Sequence, residues 1–179
     1  MQHHRQSLAV LLVATLTLFT AACASGPPRR TTPYDDALRQ VHLRGGTLAW
    51  GGVEVGMTFA QVERALGQRL PVPDGPGELC GDYHLLTDVR GQQISLTFRG
   101  PTQSARLRDV GVRLPAGFDM DAVVDALRAR LGDMEWVPSR HQPRAREHEL
   151  RNRLYRVGEA GVVFLNPDGG FQMGDVCID

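Results

Sequence analysis

The sequence predicts an α+β fold, with helices packed on one face of an antiparallel meander sheet. Three observations carry this. "GMTFAQVERALG" and "FDMDAVVDALRARLG" both read as capped amphipathic helices. Each is followed by short segments of strand composition broken by glycine-rich turns. The recurrence leaves room for two tandem helix-plus-three-strand units.

In the first helix, Thr58 and Gln61 have the spacing of a capping box, and Met57 and Val62 that of a hydrophobic staple. Phe59, Val62 and Leu66 then form one apolar stripe, and Gly67 stands where a left-handed residue closes the helix. A phosphate-binding loop is excluded, because the stretch has neither Gly-x-Gly spacing nor a Lys-Ser or Lys-Thr pair. The second helix repeats the design with Asp119 as cap, Phe118 before it and Val123 at the fourth helical position. It extends through Leu131 to Gly132. An offset of 61 residues lays Val62, Ala65 and Leu66 on Val123, Ala126 and Leu127.

Strands are expected in "CGDYHLLTDV", "QQISLTFRG" and "ARLRDVGVRLP" after the first helix, and in "MEWVP", "RLYRVG", "GVVFLN" and "GFQMGDVCI" after the second. "NPDGG" predicts a hairpin, since Pro167 presets the turn and the glycines admit positive φ.

Ahead of the domain, "MQHHRQ", the apolar "SLAVLLVATLTLF" and the small residues of "TAACASG" predict a signal peptide over residues 1–22. Ser7, Thr15, Thr17 and Thr20 make it too polar for a lasting span, which wants about 20 apolar residues. "TAAC" resembles the lipobox of bacterial lipoproteins, with Thr20 at the place usually held by Leu. The resemblance implies acylation of Cys23 and, because Ala24 is not the Asp that retains lipoproteins at the inner membrane, an anchor at the outer membrane. A lipidated flexible tether is expected over 23–45. The α+β domain then covers 46–179, with candidate halves 46–115 and 116–179.

Charge is balanced, with 20 basic and 20 acidic residues, and every basic residue apart from histidine is Arg. No case for nucleic-acid binding arises from that balance. With Cys23 taken by lipid, Cys80 and Cys177 remain. In an oxidising compartment they are expected to pair, closing a loop of about 100 residues worth at most about 4 to 5 kcal/mol. Two buried thiols are the alternative, and a nucleophilic Cys80 near His84 a third reading that lacks an orienting group.

Few residues suggest chemistry. Asp119, Asp121 and Asp125 suit a helix amino terminus without any metal, and no calcium-loop glycine follows them. His141 and His148 sit among arginines, without cysteine or carboxylate companions at ligand spacing. No cofactor, metal or catalytic residue is expected, and the protein is read as non-enzymatic. The candidate partner-binding residues are Arg140, Arg144, Arg146, Arg151 and Arg153, whose guanidinium forks suit carboxylates and phosphates. A solvated loop or short exposed helix is the alternative there.

"VEVGMTFAQVERALG" resembles the opening motif of the SmpA/OmlA/BamE group of small outer-membrane lipoproteins, through Gly56, Met57, Thr58, Val62, Leu66 and Gly67. It is also similar to the tandem beta-lactamase inhibitor fold. The resemblance implies a periplasm-facing binding or structural module held to the membrane by its lipid, with an envelope protein as partner. Its alternative is an inhibitor or immunity protein for a periplasmic hydrolase or toxin.

Overall fold

The computed structural model of the chain describes residues 34–72, 76, 80–101, 103–138 and 152–176. Their elements run α1 (Asp35–Arg39), β1 (Val41–Arg44), β2 (Thr47–Trp50), β3 (Val53–Glu54), α2 (Phe59–Leu66), β4 (Tyr83–Val89), β5 (Gln92–Arg99) and β6 (Arg106–Arg113). Then follow α3 (Met120–Leu131), β7 (Glu135–Trp136), β8 (Arg153–Arg156), β9 (Val162–Asn166) and β10 (Gly170–Gly174). The fold is α+β, with one three-stranded sheet, β1-β2-β3, and one seven-stranded sheet, β4-β5-β6-β10-β9-β8-β7.

The larger sheet gathers strands from both helix-plus-strand units. β6 and β10, the last strand of each, pair antiparallel at the join, so β4-β5-β6 and β10-β9-β8 run outward from it as mirror orders. At that join Gly111 faces Gln172. Their separation in sequence is the same 61 residues that relates Val62 to Val123, so the helices and the central strands share one offset.

Local chemistry accounts for both helices. Thr58 accepts from the Gln61 amide, the Gln61 side chain accepts from the Thr58 amide at 2.7 Å, and Gly67 closes α2 at φ 67°. Asp119 accepts from the amides of Asp121 and Ala122 at the start of α3. The stretch before α2 is also tied to the sheet, because the Leu107 amide donates to the Met57 carbonyl and the Gly56 amide to the Leu107 carbonyl, both at 2.7 Å. The helix opening thereby acts as a short extra rung beside β6.

One face of the large sheet is the core face. Leu85, Ile94, Leu96, Phe98, Val110, Val112, Val163, Leu165, Phe171 and Met173 are buried there. The Phe59 ring of α2 lies 5.0 Å from that of Phe98, and the Arg128 guanidinium of α3 lies 5.6 Å from the centre of the Tyr155 ring.

Folded structure begins before residue 46, which corrects the expected extent of the tether. Tyr34, Ala37, Leu38 and Val41 fall at i, i+3, i+4 and i+7 and all are buried. The indole of the fully buried Trp50 donates to the Ala37 carbonyl at 3.0 Å, fastening α1 to β2. The small sheet was also unexpected; Gly45-Gly46 and Gly51-Gly52 turn its strands at positive φ. Such short strands carry too little alternation to be read from sequence.

Candidate functional site

The second face of the seven-stranded sheet is covered by no helix among the described residues. We call it the open face. Antiparallel pairing and the alternation of side chains place its residues in rows that cross the strands. The middle row runs Leu86, Ser95, Gly111, Gln172, Phe164, Leu154, from β4 to β8. Apolar groups stand on its two banks and small or polar ones at its centre. Leu86 is 67% exposed, while Phe164 and Leu154 are half-buried.

The centre of this row is low for a reason. A Cβ added at Gly111 would lie 2.1 Å from the Ser95 hydroxyl and 3.2 Å from Gln172 Cγ. Glycine is therefore the residue that lets β5, β6 and β10 lie this close. A depression of about 300 Å³ opens over it, walled by Leu86 and Phe164 and rimmed by Gln93, Arg113 and Asn166. On that rim the Arg113 guanidinium donates to Gln93 Oε1 at 3.1 Å.

The next row toward the other end of the strands is polar at one side. It runs His84, Thr97, Asp109, Gly174, Val162, Arg156. Because these are successive cross-strand partners, the pairing itself brings three functional groups into line. His84 Nδ1 lies 3.0 Å from the Thr97 hydroxyl, which donates to Asp109 Oδ1 at 3.0 Å. Thr97 and Asp109 are buried, whereas the His84 ring is exposed. Gly174 lies beside Asp109 at φ 138°, and a Cβ there would meet the Arg108 carbonyl at 2.3 Å.

Burial pushes the Asp109 carboxyl from its ordinary 3.8 up to about 6; the Thr97 hydrogen bond and the Arg108 charge pull it down, and Asp82 and Asp175 add to the rise. Arg108 is largely committed elsewhere. Its guanidinium pairs with the buried Asp82 and donates from Nε to the Asp175 carbonyl, while Arg99 pairs with the Asp175 carboxylate.

Of the residues singled out from sequence, few fall here. Cys80 is disulfide-bonded, at φ 55°, two residues before Asp82. Cys23 and Cys177 lie outside the described residues, as do Arg140, Arg144, Arg146, Arg151, His141 and His148. Arg153 is described, on β8, and its guanidinium is engaged by Asp121 of α3, a bond that raises its pKa above the usual arginine value. The acidic residues of α3 are thus used within the fold: Asp119 as cap, Asp121 on Arg153, and Asp125 3.8 Å from Arg128. Among the described residues no three His, Cys, Asp or Glu side chains cluster as metal ligands.

Sequence reasoning misses His84 beyond its nearness to Cys80, and misses Thr97 and Asp109. On alternation they are polar outward positions of three strands, and only the pairing register shows that they meet. No family model, curated protein or solved structure matches the chain.

Proposed function

We propose that this chain is an outer-membrane-anchored, periplasm-facing lipoprotein, and that it acts as a non-enzymatic binding or structural module of the cell envelope. The open face is the observation that carries the binding role. It spans strands of both units, exposes Leu86, and holds a depression lined by aromatic rings, amides and the charged Arg113 and Asp168, the mixture expected of a recognition surface. The lipobox-like "TAAC" at Cys23 supports the anchor, and the disulfide at Cys80 suits an oxidising compartment. Likeness of "GMTFAQVERALG" to the SmpA/OmlA/BamE motif agrees with this location.

A photocrosslinker placed at Leu86 in cells should capture an envelope protein, and Leu86→Arg should abolish capture by a crosslinker at Phe164. Crosslinks that arise only from the exposed side of α3 would refute the open face as the binding surface. Radiolabelled palmitate appearing in the protein and vanishing in Cys23→Ala tests the anchor.

One observation favours a second reading, an inhibitor or immunity protein for a periplasmic hydrolase or toxin. Two units sharing one continuous face form a broad surface able to cover another protein's active site. Protection of a neighbouring-gene hydrolase's target by the purified protein would select that reading.

A further inference from the structure

The depression on the open face carries two opposite charges that have no counter-ion among the described residues. Arg113 ends β6 opposite Gly170 of β10, and Asp168 stands in the hairpin turn between β9 and β10. Both line the depression, yet they pair neither with each other nor with any other described residue. The Asp168 carboxylate accepts no hydrogen bond from the described residues, and the Arg113 guanidinium donates only to the neutral Gln93 Oε1, at 3.1 Å.

Local structure holds both charges in place and keeps side chains out of the space that joins them. While Gln93 takes the guanidinium, the neighbouring Gln92 side chain donates to the Arg113 carbonyl at 2.6 Å, so β5 fixes the residue at both ends. On the other side, Asn166 Oδ1 accepts from the Asp168 amide at 2.8 Å and pins the turn. Gly170 links the two, as cross-strand partner of Arg113 and two residues on from Asp168. Its φ is 115° and a Cβ there would meet the Val112 carbonyl at 2.1 Å, so only backbone fits at that place. The floor continues along the middle row from Gly111 through Gln172 to the Phe164 ring.

We propose that this depression binds a small zwitterion, an apolar amino acid or dipeptide with both ends free, with its carboxylate on Arg113, its ammonium on Asp168 and its side chain over Gly111 toward Phe164. Charge complementarity selects the class. A guanidinium fork suits a carboxylate, and a lone anion would gain at Arg113 but be repelled by Asp168, as a lone cation would gain at Asp168 and be repelled by Arg113. Only a ligand that carries both signs is favoured at both ends. A volume of about 300 Å³ lies at the small end of ligand sites, which run from about 300 to 1,000 Å³, and so suits an amino acid or dipeptide better than a longer chain. The site goes beyond the protein-binding role and does not rest on it.

The test is a nitrogen-15 NMR titration of the full chain with leucine and with leucyl-leucine, each compared with its N-acetyl form, which lacks the cation, and its C-terminal amide, which lacks the anion. Binding at millimolar concentration should move the amide signals of Gly111 and Gly170. Blocking either end should weaken the affinity about ten-fold, the size of one hydrogen bond to a charged group. The penalties should also be selective. Arg113→Gln should no longer distinguish the free acid from the amide while still rejecting the acetyl form, and Asp168→Asn should do the reverse. Both side chains are exposed, so both variants should keep the urea midpoint of the parent. Gly111 and Gly170 signals that stay still with both probes, or blocked forms that bind as well as the free ones, overturn the site. Penalties that persist unchanged in the variants overturn it too, because the ligand's charges would then be read elsewhere. The protein-binding reading is decided separately, by the crosslinks from Leu86 and Phe164.

Discussion

Replacing Asp109 by asparagine is expected to stabilise the domain at neutral pH and to leave it unchanged in acid. In the unfolded chain this carboxyl releases its proton near 3.8, and in the fold near 6. Between those values the native state holds a proton that the unfolded state has given up, so native stability falls as pH rises. The loss is complete above the folded pKa. A rise of that size corresponds to about 3 kcal/mol. Asparagine has the same shape, accepts from the Thr97 hydroxyl through its amide oxygen, and never ionises. The difference between Asp109→Asn and the parent should therefore be near zero at pH 3.5, grow between pH 4 and 6, and level off at about 3 kcal/mol, the pull of Arg108 on the ionised form being already contained in the net rise. Urea unfolding followed by the fluorescence of buried Trp50 measures it. With an m-value of about 2 kcal/mol/M the midpoint should move by about 1.5 M at pH 7.5. A difference that is flat with pH, or one in which the variant is less stable at pH 7.5, refutes the argument that burial dominates the Asp109 environment.

Two further substitutions address the frame that holds the site. Thr58→Ala removes one half of the capping box of α2 and should cost about 1 kcal/mol in the same assay, with Thr58→Ser close to neutral; equal losses for both would mean that the hydroxyl is not what matters. Gly111→Ala drives a methyl into the Ser95 hydroxyl and should cost about 1 to 3 kcal/mol. Adding Ser95→Ala leaves the nearest carbon contacts at 3.2 and 3.4 Å and should recover much of that loss, so strictly additive effects in the double-mutant cycle would exclude the clash.

What was legible in the sequence was local. Caps, staples and glycine ends are written within a dozen residues, and so both long helices and the "NPDGG" hairpin could be read directly. The alternation in "QQISLTFRG" even separates Ile94, Leu96 and Phe98 from Ser95 and Thr97. What alternation cannot give is register, and here the site depends on register. His84, Thr97 and Asp109 belong to three strands, and β5 and β6 are out of step by an irregularity between Thr97 and Phe98. Moving either strand by one residue would put Asp109 against an apolar neighbour and end the chain of hydrogen bonds. The early helix α1 was missed for a different reason. The helical spacing of Tyr34, Ala37, Leu38 and Val41 spans only about two turns, shorter than the window of about 11 residues over which a period can be read, and α1 owes its burial to docking on Trp50.

The shared offset of 61 residues bears on why the open face has its form. If both units descend from one helix-plus-three-strand ancestor, a two-fold axis through the sheet passes between positions related by that offset and paired with each other, and Gly111 opposite Gln172 meets both conditions. An axis makes equivalent positions neighbours, so a side chain of any size at that place would meet its own counterpart. Glycine on one strand and a flexible amide on the other relieve the conflict, and the depression is what remains. Away from the axis the units have diverged, since the same offset lays the buried Asp109 of the His84 chain on Gly170 and Arg113 on Gly174. A partner seated over the join would thus meet a symmetric floor between unlike banks. The expectation is binding in one orientation only, and single crosslinkers at His84 and at Arg156 should each reach a different surface of the same partner. Identical crosslink maps from the two positions would refute the single orientation.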